Sequence, residues 1–175
     1  MTLFRLSPLV ILFVLLSACI STTGEIKENR FVDQDFSVGL LNDEWQVARQ
    51  KVYHLNAPSL RENTPWAISF SHTKSNGFIG VGAFDMNELG QARSLEVWAD
   101  NLVANSGGLK LSDRSVKIDG NEGLELVVSG KYMAKWIIMK KGKKMYRMVY
   151  SNSPTYFDQS LAVFDGFVQT FRFQQ

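Results

Sequence analysis

The chain has one cysteine, two histidines and almost no excess of either charge sign, and each shortage removes a class of function. A lone cysteine forms no disulfide within the chain. The histidines, His54 and His72, lie outside metal-ligand spacing of each other and of Cys19, so no metal site is expected. A net charge of +2, from 19 basic and 17 acidic residues, is far below what a nucleic-acid-binding stripe gives, and no nucleic-acid partner is expected. Glycine-rich phosphate loops are missing too: after Gly77, Gly80 and Gly82 the third glycine of G-x-G-x-x-G would fall on Asp85. These glycines stand in a strand pattern, where a bulge or a close backbone approach is the expected reason for them. No G-x-S-x-G elbow occurs, and Glu122 and Glu125 are three apart on a strand pattern, hence on opposite faces. No catalytic residue, cofactor or enzymatic activity is expected.

What is present begins with a greasy leader. Arg5 is followed by the apolar run Leu9 to Leu16 and the small residues Ser17 and Ala18, the layout of an export signal. From Leu6 to Ala18 the stretch falls short of the roughly 20 residues a spanning helix needs. Leu16-Ser17-Ala18-Cys19 resembles the lipobox of bacterial lipoproteins, in which cleavage precedes a cysteine that carries a diacylglyceryl thioether. The competing reading is a chance cysteine at the end of an ordinary signal.

The resemblance implies lipidation at Cys19, a signal peptide over 1–18 and attachment to the envelope membrane. Burying acyl chains contributes about 0.8 kcal/mol per methylene, so two or more chains hold a protein stably at a bilayer face. Ile20 and Ser21 stand where, by resemblance to enterobacterial lipoproteins, an aspartate signals inner-membrane retention, so the periplasmic face of the outer membrane is favoured in a two-membrane host. Residues 19–30 read as the lipidated end and a polar tether, and 31–175 as one domain. About ten extended residues reach roughly 33 Å.

The domain reads as strands with two main helices. "DFSVGLL" and "WQVARQKVY" suggest a hairpin closed at Asn42-Asp43, and "WAISFSH" and "FIGVGAF" a second pair turning at 74–77. Leu95, Trp98 and Leu102 recur at helical spacing between a Ser94 cap and a Gly107 stop. Lys110 to Asn152 alternates as a meander with turns at Gly130 and Gly142. Ser153-Pro154 then opens a second helix with Phe157, Leu161, Phe164 and Val168 on one face, and a last strand carries Phe171 and Phe173. The expected fold class is α+β, a single antiparallel sheet flanked by two main helices.

This order, with Trp45 early, a helix after the fourth strand, a long meander and the terminal F-x-x-F-V-x-T-F-R-F, resembles the PsbP-like fold, which is also that of small envelope lipoproteins of the DcrB type. The resemblance covers Phe31 to Phe173 and implies accessory or binding work at a membrane surface, with an envelope protein as partner. It carries over no site residue beyond the lipobox cysteine.

Two patches remain. Lys140, Lys141, Lys143 and Lys144 crowd one turn and read as a solvated turn that discourages edge pairing, with anionic lipid contact as the alternative. Trp66, Trp98, Trp136, Tyr132, Tyr146 and Tyr150 read as core, although they suffice to line a groove. The expected function is a lipid-anchored accessory or binding protein of the bacterial envelope. An envelope enzyme and a small-molecule carrier are the alternatives. A pocket of some 300 Å³ or more would favour the carrier, and a cleft of perturbed titratable groups the enzyme.

Overall fold

A computed structural model describes residues 24–50 and 66–174. The signal segment 1–18, Cys19 and His54 lie outside the described residues. In chain order the first half holds strands β1 (Glu25–Lys27), β2 (Arg30–Val32), β3 (Phe36–Gly39), β4 (Trp45–Gln50), β5 (Ile68–His72) and β6 (Phe78–Asp85), then helices α1 (Glu88–Ala92) and α2 (Leu95–Ser106). The second half holds β7 (Leu109–Ile118), β8 (Asn121–Ser129), β9 (Met133–Lys141) and β10 (Lys144–Asn152). A helical stretch follows, made of α3 (Pro154–Phe157), a single 3₁₀ turn (Asp158–Ser160) and α4 (Leu161–Gln169), and β11 (Arg172–Phe173) ends it.

The strands form two antiparallel sheets, one of seven in the order β4-β5-β6-β10-β9-β8-β7 and one of four in the order β1-β2-β3-β11. This corrects the expectation of an α+β domain with a single sheet and two flanking helices: strand dominates, and the extra sheet does part of the covering assigned to helices. The first hairpin is corrected with it. The chain does turn at Asn42, whose carbonyl accepts from the Trp45 N–H at 2.9 Å, but it leaves the small sheet at β3 and enters the large one at β4. β3 pairs instead with β2 and with β11 from the far end of the chain. β1 occupies part of the stretch read as tether, its three residues exposed.

The large sheet is covered on both sides. On one side the small sheet and the 154–169 helical stretch bury Phe31, Phe36, Val38, Phe164, Phe171 and Phe173 against Phe70, Ile79, Ile137, Met139, Tyr146, Met148 and Tyr150. Phe36 stacks on Phe171 at 5.3 Å, and Tyr150 lies stacked between Phe157 and Phe164. On the other side α1 and α2 bury Met86, Trp98, Ala99 and Val103 against Leu124, Leu126, Val128, Trp136, Ile138, Met145 and Val149. Strand alternation explains the division: on β9, Ile137 and Met139 serve the first core, Trp136 and Ile138 the second.

Local chemistry sets the helix ends. The Ser94 Oγ accepts from the Val97 N–H, capping α2, and Gly107, at φ 68°, ends it in the left-handed region that only glycine enters freely. Pro154 stands at the first turn of α3 as expected, but the Ser153 side chain makes no cap hydrogen bond. The edge strand β7 is exposed along most of its length and carries Lys110, Asp113, Arg114 and Lys117, charges that oppose pairing with another chain. Lys135 and Glu125, both largely buried, tie the terminal helix to the sheet: Lys135 Nζ lies 2.6 Å from Asp165 and 3.1 Å from Glu125, and Arg114 grips Glu125 with two hydrogen bonds.

Candidate functional site: a cleft around Arg147

Strand β10 runs through the middle of the large sheet, and its residues facing α2 should all be apolar. Met145 and Val149 are. Between them, on the same face, stands Arg147, paired across to Ile138 on β9 and Gly82 on β6. Its Nε is buried and has no hydrogen-bond partner, the one such side-chain atom among the described residues. No carboxylate of the described residues pairs with it. Burial pulls its pKa well below the ordinary guanidinium range, to about 10.

Trp66 lies over the guanidinium, 4.8 Å from its ring centre. The indole reaches this place because β6 carries Gly80 there: a Cβ at that position would meet the Trp66 ring at 2.8 Å and Phe78 at 2.9 Å. The close backbone approach expected of these glycines is thus an aromatic wall seated on bare backbone. Phe78 meets Trp66 edge to face at 5.3 Å.

Together these residues line an open cleft of about 340 Å³. Its floor is Arg147, Val149, Ala134 and Trp136, one wall Trp66 and Phe78, and the opposite rim Gly108 after α2 with the turn from Ser129 to Tyr132. Among the described lining residues none is acidic, and Arg147 and Lys131 are the cations. Two larger hollows beside the start of α2, about 400 and 560 Å³, are bordered by the exposed carboxylates of Glu96 and Glu122 and hold no buried unpaired charge.

The aromatic group read from sequence therefore divides. Trp98, Tyr146 and Tyr150 are core, as expected, with Trp98 Nε1 donating to the Gly90 carbonyl at 2.9 Å. Trp136 is core too and also borders the cleft, whereas Trp66 and Tyr132 line it without being fully buried. Arg147 was not singled out from the sequence, although a charge between two apolar same-face residues of a strand is a legible signal.

The four lysines do not form one solvated patch. Lys140 Nζ donates to the carbonyls of Gln91 and Arg93 at 2.7 Å each, closing the end of α1. Lys144 pairs with Asp35 below the small sheet, and Lys141 lies over the Phe173 ring at 4.2 Å. His72 is held by the Ser75 hydroxyl and the Trp45 ring edge, and no group of three or more metal-ligating side chains occurs among the described residues. No described helix is long and apolar enough to cross a membrane.

No protein-family model matches this sequence, and no curated protein is similar to it in sequence. In structure it is similar to cyanobacterial PsbP (CyanoP) from Synechocystis sp. PCC 6803, with a TM-score of 0.59, 10% identity, and 90% of this chain and 96% of that one covered. A Pseudomonas aeruginosa protein of unknown function, PA94, gives a TM-score of 0.44 and 12% identity over 85% of this chain and 94% of that one. At such low identity the CyanoP likeness concerns architecture alone: two antiparallel sheets with helices on the larger one make this a PsbP-like fold.

Proposed function

We propose that the chain is a lipid-anchored binding protein of the bacterial envelope, tethered through Cys19 and working by holding a ligand in the Trp66–Arg147 cleft. The observation that carries the binding half is Arg147 itself, a partly buried cation whose Nε is buried and unpaired and which meets no counter-charge among the described residues, in a cleft of ligand size. Small-molecule sites are concave, mostly apolar and equipped with few polar groups, and they begin at about 300 Å³. A native fold rarely leaves a buried polar group unpaired unless something else satisfies it. Binding suits this lining better than turnover does, because the titratable side chains among its described residues are Arg147, Lys131 and Tyr132. The accessory role implied by the PsbP-like architecture is compatible with a ligand-holding domain.

The anchoring half rests on the Leu16 to Cys19 pattern. Two measurements test the whole. Metabolic labelling with palmitate should mark the wild-type chain and not Cys19→Ala, and an unlabelled wild type ends the anchoring claim. Native mass spectrometry of the full chain released from membranes should show a small-molecule adduct that Trp66→Ala loses. An adduct that is unaffected by Trp66→Ala, or no adduct at all, removes the cleft from the proposal.

A further inference from the structure

Resting on the binding reading above, we infer that the cleft takes a small amphiphilic anion, an oxyanion group on a planar apolar body. The placement of Arg147 argues for the charge. The guanidinium carbon lies over the Trp66 ring, 4.8 Å from its centre, a contact that engages the charge and uses none of the five N–H donors. A guanidinium so held keeps its donors for a carboxylate or phosphate, whose two oxygens match the fork. The rest of the described lining supplies no competitor: none of those residues is acidic, and Lys131 adds a second positive charge at the rim. A cationic ligand would meet two like charges, and a neutral apolar one would bury the guanidinium further with no partner.

The body of the ligand is set by the walls. Trp66, Phe78, Tyr132 and Trp136 present ring surface, and flat ligands find offset-stacked or edge contacts against such rings. The volume of about 340 Å³ equals roughly eleven waters at about 30 Å³ each. That admits a ligand on the order of a dozen non-hydrogen atoms and excludes a full acyl chain. A carboxylic acid and a phosphate monoester share the required chemistry.

Calorimetric titration of the full chain in lipid nanodiscs tests this with four probes of nearly equal size: 3-phenylpropionate, phenyl phosphate, 3-phenylpropan-1-ol and 3-phenylpropylamine. At least one of the two anions should bind ten-fold or more tighter than the alcohol, and the tighter anion identifies the head group. The amine should bind more weakly than the alcohol. Arg147→Met should abolish the preference, bringing the preferred anion to the level of the alcohol or below it, and Arg147→Lys should keep part of the preference. If the alcohol binds as tightly as both anions, or if Arg147→Met keeps the full preference, the charge assignment is overturned while the binding reading stands. If none of the four binds, both fall.

Discussion

Replacing Arg147 with methionine should make the protein more stable. Burial pulls the guanidinium down to about 10, and because Arg147 is only partly buried the desolvation cost, at 1.36 kcal/mol per pH unit, is at most roughly 3 kcal/mol. The sign is fixed by the direction of the shift. A base whose folded pKa lies below its unfolded one is charged in both states at neutral pH and carries the full penalty there. Relief comes only as the pH rises above about 10. Tyr146, pushed up to about 12 mainly by its own burial, opposes that relief by destabilising the fold over the same alkaline range, so the comparison belongs near pH 7. Methionine keeps an unbranched apolar stem and adds no polar atom. It loses the stacking of the cation on Trp66, worth up to about 2 kcal/mol when desolvated. The net expectation is a gain of about 1 to 2 kcal/mol, or a melting temperature higher by roughly 3 to 6 °C for a chain of this size. Urea and thermal unfolding of the purified chain, followed by tryptophan fluorescence, measure it. A variant that is less stable than wild type would mean that the guanidinium is compensated, and the argument for a ligand would lose its premise.

Lys135→Ala removes one grip on the largely buried Glu125 and frees Asp165 on α4, while Arg114 keeps its two hydrogen bonds; a loss of about 2 kcal/mol in urea unfolding is expected, less than for a pair left wholly uncompensated. Burial raises the Glu125 pKa, but Arg114 and Lys135 together outweigh that and hold it below 4.5, so the wild-type advantage should be complete above about pH 4.5 and fade as the pH falls through the lowered value. Lys140→Ser strips the two carbonyls at the end of α1 of their donor and should cost about 1 kcal/mol. Lys143→Ser, at an exposed side chain in the same turn, should stay within about 0.5 kcal/mol; equal effects at the two positions would contradict the division of labour among the lysines.

The parts of the fold legible in the sequence are those whose determinants lie close together in the chain. The α2 limits follow from Ser94 and Gly107, and the pairing of β7 through β10 follows from alternation and short turns, all within a few residues. The small sheet was not legible, because its register depends on Phe36 meeting Phe173 and on Thr170 Oγ1 accepting from the Gly39 N–H at 2.8 Å, contacts that span more than a hundred residues. Local pattern does not encode which distant strand comes back. α1 was missed for a different reason: five residues are too few to show a helical period, and its stability comes from Asn87 at its start, Trp98 bonded to Gly90, and Lys140 at its end. One sign of the second covering layer was present. Val127, Ile137 and Met139 are apolar at strand positions that a one-sided sheet would give to polar residues, and both faces of such strands must be buried.

The cleft was half legible, and the half that was missed shows how a site differs from a core. Gly80 announced a close approach but not by what, since the Trp66 that fills the space belongs to the segment before β5 and reaches β6 only after the sheet forms. Arg147 was visible as a charge at an apolar position. Salt links and hydrogen bonds account for the other partly buried cations. The lack of a polar partner is what separates Arg147 from those: Lys144 finds Asp35, Lys135 finds Glu125 and Asp165, Arg30 finds Ser37 and the Thr170 carbonyl, and among the described residues Arg147 finds only the face of a ring. Consistency across pattern, packing and charge holds along β10 except at this one position, and such an exception in an otherwise consistent strand is where function is expected to outweigh stability. A methionine there would satisfy the packing of the described residues better, so an arginine at this place is best understood as meeting something that those residues do not themselves provide.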